Sequence, residues 1–184
     1  KYNGLLSVHL RSESEYFIES VKEIVKISKE TGVPVEISHL KAVGKKYWGR
    51  MPAVIDYFER VRNSGVDVAY DVYPYTMGST TASILFPKWV LTGGIAHILD
   101  LLSDYSNRAM IKKELKEEWD DADNLSLLSG WENVIIASAG SERSELIGRS
   151  IIDIAETRGV EPEDLFLDIF QEEKGQICIL LNHI

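Results

Sequence analysis

The sequence predicts an α/β fold in which the part of the chain up to Tyr75 contributes strands to a parallel sheet. Short apolar runs recur at Gly4–Leu10, Pro34–Leu40 and Val66–Val72, and amphipathic stretches of helical length separate them. Strands that alternate with helices through short connections favour parallel pairing and right-handed crossovers. The chain has 184 residues, whereas a complete barrel of eight strand–helix units needs about 250 residues. The sequence is therefore too short for a complete barrel.

The two helices between these strands have recognisable ends. Ser12 and Glu15 are spaced as in a capping box, in which the serine accepts a free helix N–H and the glutamate reaches back. Apolar residues follow at helical spacing, and Gly32 and Pro34 are typical of a helix that ends there. A second helix is predicted over Pro52–Asn63, before the third strand.

The alternation stops after Tyr75. The remaining segments are predicted as a polar loop at Thr76–Thr81, helices near residues 87–91, 94–102 and 106–118, an acidic turn region at Trp119–Ser129, a strand at Asn133–Ser138, helices at Glu145–Arg158 and Glu161–Glu173, and a strand at Gln176–Leu181. The last run is typical of a buried strand in a parallel sheet, with a partner on each side. Together with Lys1 in first position, it predicts a fragment of a longer protein.

Composition and charge disfavour several classes of partner. With 20 Lys+Arg against 29 Asp+Glu, the net charge is −9, which disfavours nucleic acid and anionic membranes. No apolar run approaches the about 18 residues of a membrane span, and charged Arg11 comes too early for a signal peptide. The single cysteine, Cys178, forms no internal disulfide. We therefore expect a cytoplasmic protein without nucleic-acid or membrane partners.

Candidate functional residues follow the three predicted strands. In parallel α/β folds, functional side chains gather at the carboxyl ends of the strands. Those positions hold His9, Arg11, His39, Lys41, Asp71, Tyr73 and Tyr75. Neutral imidazoles at two equivalent strand ends can ligate a divalent metal, but histidines at such ends are also common as hydrogen-bonded structural residues. No HxH, HExxH or CxxC motif is present, so both interpretations of the histidines stay open on spacing alone.

Four separated segments resemble a known family. They are VHLRSE at Val8–Glu13, VEISHLK at Val35–Lys41, the loop Tyr47-Trp48-Gly49, and DVYPYTMGST at Asp71–Thr80. In this order and at comparable spacing, they resemble the N-acyl-D-amino-acid deacylase (D-aminoacylase) branch of the amidohydrolase superfamily.

The resemblance implies a fold, a reaction and a metal ligand. The family consists of metal-dependent (β/α)8 barrels, usually with zinc, that hydrolyse the linear amide of N-acyl-D-amino acids. His39 matches the metal-binding histidine at the end of the fifth barrel strand. The chain would then be a partial TIM barrel of middle-to-late strands, with a βαβαβ barrel segment at 1–86, an inserted helical lobe at 87–132, and a return to the barrel at 133–184. The family's HxH pair and late Asp base have no counterpart here, so we expect the fragment to be inactive alone.

The remaining expectations concern the pocket and its partners. We expect His9, Arg11, Lys41, Tyr73 and Tyr75 to line a pocket for a small N-acyl amino acid, with Arg11 or Lys41 binding its carboxylate. Unpaired barrel edges would favour homo-oligomers. Two alternatives remain open: an amidohydrolase for a cyclic amide, as in dihydroorotases and hydantoinases, and a non-catalytic module that binds a small acid. We assign no role to His97 or His183.

Overall fold

The computed structural model describes residues 4–120, 122–141 and 144–182, which form two compact units. The first unit extends to Tyr75 and the second begins at Thr76. The structure thus divides the chain earlier than the boundary between residues 86 and 87 that the sequence suggests. The outermost residues of the predicted ranges, and His183, lie outside the described part.

The first unit is a three-stranded parallel sheet with helical crossovers. Its elements are β1 (Leu6–Val8), α1 (Phe17–Thr31), β2 (Val35–Ile37), a 3-10 helix (Lys45–Arg50), α2 (Met51–Asn63) and β3 (Val68–Tyr70). The strand order is β1-β2-β3, and both pairings are parallel. The predicted α/β class and the parallel pairing of these strands are therefore confirmed.

Helix α1 packs through one apolar face and ends where the sequence indicates. Phe17, Val21 and Val25 are buried at successive i,i+4 positions, which places them on one side of the helix. Gly32 adopts the left-handed conformation with φ of 70°, and its N–H donates to the carbonyl of Ser28 at 2.8 Å. A glycine tolerates this φ without the steric cost of a Cβ atom, so the predicted helix end is confirmed.

The predicted capping box of α1 is wrong. The helix begins at Phe17, and its N-cap residue, Tyr16, makes no side-chain capping bond. The Ser12 hydroxyl instead accepts hydrogen bonds from the backbone N–H groups of Ser14 and Tyr16, at 3.3 and 3.2 Å. It therefore shapes the loop before the helix, because short hydroxyl side chains also stabilise turns.

The second unit combines an antiparallel sheet with several helices. Its elements are β4 (Gly78–Thr81), a 3-10 helix (Ala82–Leu85), α3 (Lys88–Leu91), α4 (Gly94–Ser103), α5 (Tyr105–Glu114), α6 (Leu125–Ser129), a 3-10 helix (Trp131–Asn133), β5 (Val134–Ala139), α7 (Ile151–Arg158), α8 (Pro162–Glu172) and β6 (Ile177–Leu181). An aromatic group formed by Phe86, Phe166 and Phe170 lies in its core, with ring centroids 4.7 to 6.1 Å apart. Among the described helices, none is long and apolar enough to cross a membrane.

Strand β6 differs from the sequence prediction in its pairing. It is the central strand of the order β4-β6-β5 and pairs antiparallel on both sides. Its burial alternates: Ile177, Ile179 and Leu181 are buried, whereas Cys178 is exposed. Antiparallel sheets can leave one face open, so an apolar run at this position does not require a parallel sheet.

The other two strands of this sheet also depart from expectation. Thr76–Thr81 is predicted as a loop, yet Gly78–Thr81 forms β4 and pairs with β6. The strands described after residue 133 pair with each other and with β4, not with the first unit's sheet. The return of residues 133–184 to the barrel stays a prediction, and the described strands of this range belong to the antiparallel sheet.

Candidate metal centre

Two histidines meet where β1 and β2 end. The register pairs Val8 with Ile37, so the residues that follow the two strands leave the sheet side by side. The Nδ1 atom of His9 lies 3.2 Å from the Nε2 atom of His39, and the ring centroids are 4.9 Å apart. The equivalent strand-end positions that the sequence indicates therefore bring the two imidazoles into contact.

Glu13 completes a group of three potential ligands. Its Oε1 atom lies 3.2 Å from Nδ1 of His39 and 4.0 Å from Nδ1 of His9. One candidate ligand atom from each of the three residues lies within 4.8 Å of the other two. The Glu13 side chain is only 8% exposed, and its backbone carbonyl accepts a hydrogen bond from the N–H of Val43 at 2.8 Å. The carboxylate thus lies beside the two imidazoles, on a backbone that this hydrogen bond helps to hold.

Lys41 neutralises the carboxylate of Glu13. Its Nζ atom donates to Oε1 of Glu13 at 2.7 Å and lies 2.9 Å from Nδ1 of His39. The side chain of Lys41 is 13% exposed. The structure brings this predicted pocket residue into the cluster, but its ammonium is engaged in a sheltered ion pair. Such a pairing satisfies the charge of Glu13, which would be costly to bury alone.

Asp71 fixes the backbone of His39. His39 has a positive φ of 43°, in a region that non-glycine residues rarely occupy. Its backbone N–H donates to Oδ1 of Asp71 at 2.7 Å, and the next N–H, of Leu40, donates to the carbonyl of Asp71 at 2.9 Å. Two hydrogen bonds from the end of β3 therefore hold the turn that directs the His39 side chain.

Tyr73 lies beside the ion pair and keeps its proton. Burial, and secondarily the negative charge of Glu13, raises the pKa of the Tyr73 phenol to about 12. The Nζ atom of Lys41 is 5.8 Å from the centroid of its ring. At neutral pH the phenol is therefore a hydrogen-bond donor next to the cluster.

Two other predicted pocket residues, Arg11 and Tyr75, have surroundings unlike those of Lys41. The guanidinium of Arg11 donates to Oε2 of Glu23 on α1 at 2.7 Å and stacks over the ring of Tyr16. The side chain of Tyr75 is 71% exposed at the end of the first unit. The contacts of Arg11 therefore turn it toward α1.

Sequence reasoning missed the position of Glu13. The residue lies in VHLRSE, where the spacing of Ser12 and Glu15 resembles a helix start and predicts a capping role for these neighbours instead of a ligand role for Glu13. No local pattern signals this role, because residues 9–13 are not helical and the location of Glu13 depends on the path of the loop before α1. Two imidazoles and a carboxylate suit zinc and related divalent ions. The fold and the cluster thus define an α/β protein with a candidate metal site at the carboxyl ends of its parallel strands.

Sequence comparison relates the chain to bacterial deacylases. N-acyl-D-glutamate deacylase of Alcaligenes xylosoxydans xylosoxydans is 36% identical over 85 residues, which are 46% of this chain and 17% of that protein. D-aminoacylase of the same organism is 35% identical over 79 residues, 43% of this chain and 16% of that protein. No protein-family model matches the chain. The resemblance indicated by the sequence motifs is confirmed: the chain is similar to a segment of N-acyl-D-amino-acid deacylases.

Solved structures of the same kind share the fold. N-acyl-D-glutamate deacylase from Bordetella bronchiseptica, complexed with zinc and a phosphonate inhibitor, superposes with a TM-score of 0.65 at 20% identity. That likeness covers 99% of this chain and 28% of the other. A crystal structure of D-aminoacylase gives a TM-score of 0.63 at 22% identity, covering 98% of this chain and 28% of the other. The chain therefore spans less than a third of the length of these relatives.

Proposed function

We propose that this chain is a segment of a metal-dependent amidohydrolase that hydrolyses the linear amide of N-acyl-D-amino acids. The observation that carries the proposal is the convergence of His9, Glu13 and His39 at the carboxyl ends of adjacent parallel strands. A catalytic zinc needs about three protein ligands of these types and an open position for water or substrate. The deacylase relatives support the reaction type.

His39 is the residue that we propose as a metal ligand on both geometry and family resemblance. When bound, a divalent ion would polarise the amide carbonyl and activate a water molecule for attack. The protonated phenol of Tyr73 lies beside the cluster, where it can donate a hydrogen bond to a substrate oxygen. Asp71 contributes indirectly, because it holds the backbone from which the His39 ring projects.

The substrate side of the site extends from the same strand ends. We propose Arg11 or Lys41 as the partner of the substrate carboxylate; each already pairs with a glutamate, Arg11 with the exposed Glu23 and Lys41 with the buried Glu13. His9, Lys41, Tyr73 and Tyr75 remain our proposal for the lining of the pocket. The proposed substrate is a small molecule, and the enzyme would act in the cytoplasm.

We propose that the first unit is part of a (β/α)8 barrel. Strands β1 and β3 are the edges of its parallel sheet, and each edge would pair with a further strand of the barrel. Copies of the chain could instead associate through these edges. We propose that residues 87–132 form the inserted lobe that the family resemblance implies; helices α3 to α6 lie within this range.

Metal analysis and an amide-hydrolysis assay test the proposal together. We expect the protein to bind zinc, and the natural full-length protein to release D-amino acids from their N-acetyl derivatives. The variant His39→Ala should lose both properties. His97→Ala is the matched control, because His97 is an exposed histidine on α4 of the second unit. Unchanged zinc content and turnover in His39→Ala would refute the proposal, and hydrolysis of cyclic amides alone would redirect it to another amide class.

A further inference from the structure

Strand β3 forms one edge of the parallel sheet, and its backbone groups alternate in direction. The carbonyl of Asp67 accepts from the N–H of Val35 on β2 at 3.0 Å, and the N–H of Asp71 donates back to β2 at 3.1 Å. In a parallel ladder, every second residue of a strand bonds to the same neighbouring strand. The N–H and C=O groups of Val68 and Tyr70 therefore point away from β2, along the edge of the sheet.

Arg62 covers part of this edge. Its Nε–H donates to the carbonyl of Val68 at 2.8 Å, and its guanidinium carbon lies 5.6 Å from the centroid of the Tyr70 ring. Arg62 belongs to the last turn of α2, the helix that leads into β3. A planar guanidinium can stack on an aromatic ring while it donates hydrogen bonds, so the two contacts together hold the side chain across the strand.

Strand β1, at the opposite edge of the sheet, has no comparable cover. The N–H of Leu6 and the carbonyl of Val8 each form a 2.9 Å hydrogen bond on the side of β2, so the backbone groups of Ser7 point outward. Among the residues that the structure describes, no side chain donates to the carbonyl of Ser7. The two edges of one sheet therefore differ in whether an arginine occupies an outward carbonyl.

An open strand edge can pair with another extended chain. Its outward N–H and C=O groups are a template for a further strand, and proteins commonly cover such edges or place charged side chains on them. Two copies of β3 could pair antiparallel about a two-fold axis, because such a contact uses the same surface of both copies. This pairing requires Arg62 to release the carbonyl of Val68, and a charge-assisted hydrogen bond is stronger than the neutral one that would replace it.

We propose that Arg62 is a gatekeeper, a side chain that keeps the edge of β3 from pairing with a second copy of this chain. It acts by occupying the carbonyl of Val68, not through repulsion between charges. The net charge is −9, so loss of Arg62 makes each copy one unit more negative and by itself drives the copies further apart. The role applies while β3 is an edge strand, as in this structure, and it does not depend on the proposed reaction.

Sedimentation velocity over a range of protein concentrations tests this role. Arg62→Met removes the hydrogen-bond donor and keeps most of the aliphatic stem. It should tighten self-association by about tenfold or more, the factor that corresponds to one charge-assisted hydrogen bond. Arg60→Met is the matched control, because Arg60 is an exposed cation of the same helical turn, and it should match the wild type. Arg62→Ala should associate as Arg62→Met does, although it adds no large apolar side chain.

Hydrogen exchange locates the contact between copies. In both Arg62 variants, the amides of Val68 and Tyr70 should exchange more slowly as the protein concentration rises, because their outward N–H groups become hydrogen-bonded in a strand pair. The amide of Ile37 in the central strand β2 should stay protected, which reports an intact sheet.

Several results would overturn the gatekeeper role. They are wild-type self-association in either Arg62 variant, stronger association without slower exchange at Tyr70, and concentration-dependent protection of Tyr70 already in the wild type. Loss of the protection of Ile37 in both variants would also overturn it, because Arg62 would then hold the sheet together instead of shielding its edge. The proposed function is tested separately, by zinc binding and amide hydrolysis.

Discussion

His39 depends on a backbone conformation that its own side chain does not favour. A residue in a sparsely populated φ region costs of the order of 1–3 kcal/mol and persists only where its surroundings hold it. Here Asp71 does so through two hydrogen bonds at the end of β3, one from the N–H of His39 and one from that of Leu40. The position of the imidazole is therefore set by a residue on a different strand.

Substitution of Asp71 tests this support. Asp71→Ala should lower the free energy of unfolding by about 1 kcal/mol, because a charge-assisted but exposed hydrogen bond is lost, and it should also weaken metal binding. Asp71→Asn retains an acceptor oxygen and should keep most of both properties. Chemical denaturation and metal titration measure the two effects. An alanine variant that matches the asparagine variant in both would show that the side chain does not hold the turn.

The raised pKa of Tyr73 predicts that the free energy of unfolding depends on pH in the alkaline range. Its pKa is about 12 in the folded protein, against an ordinary value of 10.0. Below about pH 10 the folded and unfolded states both keep this proton, so Tyr73 adds no pH dependence there. Between about pH 10 and 12 the unfolded state releases it and the folded state does not, so the free energy of unfolding should fall as pH rises.

Denaturation at several alkaline pH values measures this contribution. Tyr73→Phe should show a shallower loss of stability over that interval than the wild type. Tyr75→Phe is the control, because the side chain of Tyr75 is exposed and should leave the profile unchanged. Equal slopes for the Tyr73 variant and the wild type would contradict the raised pKa.

At the scale of elements, basic residues on α5 and just after it form ion pairs with acidic residues on α8 and just before it. Three basic residues follow one another at intervals of four. Arg108 and Lys112 pair with Asp168 and Asp164 on α8, and Lys116 pairs with Glu161, the residue before α8. Lys116 lies 3.2 Å from Oε2 of Glu163, and its contact with this carboxylate raises the pKa of Lys116. Glu163 is buried, and its Oε1 atom accepts a hydrogen bond from the indole of Trp131 at 3.0 Å.

The contact of Lys116 with Glu163 should matter more than an ordinary surface ion pair. Lys116→Met should destabilise the protein by about 1–2 kcal/mol, because it leaves one oxygen of a buried carboxylate without its charged partner. Lys113→Met removes an exposed cation that, among the residues the structure describes, pairs with Glu117 alone, so a change within about 0.5 kcal/mol is expected. Denaturant unfolding compares the two variants.

A double variant tests whether the unpaired charge of Glu163 causes the loss of stability in Lys116→Met. Adding Glu163→Gln to Lys116→Met should recover part of the loss, because the amide still accepts from Trp131 and carries no charge. Losses that simply add would show that the two side chains act independently.

At the scale of the whole chain, local patterns predicted the first unit well. Three short apolar runs alternate with two helical segments along the sequence. Strands that are adjacent along the chain and separated by a helix pair in parallel, so the order and direction of β1, β2 and β3 could be predicted from neighbouring segments. The pairing of β6 with β4 joins positions about 100 residues apart, such as Thr81 and Cys178, and no local pattern encodes such a contact. A polar GSTT strand also lacks the apolar alternation by which strands are recognised.

The candidate site was predictable to a similar extent. Strand-end position placed His9 and His39 together, because parallel strands end at the same edge. It could not place Glu13, whose location depends on the path of the loop before α1, nor reveal that the ammonium of Lys41 points inward. Those features depend on which side chain meets which across segments about 30 residues apart.

Because the proposed ligands all belong to the first unit, metal binding should stabilise the two units unequally. An ion that binds only the folded site adds about 2.7 kcal/mol when its free concentration is about 100 times the dissociation constant. Hydrogen exchange with and without zinc should therefore show slower exchange in β1, β2 and the residues that follow them, and little local change in β5 and β6. The same experiment on His39→Ala should show no zinc effect. Equal slowing in β5 and β6 would contradict a site confined to the first unit, because amides exchange through the local opening of the segment that contains them.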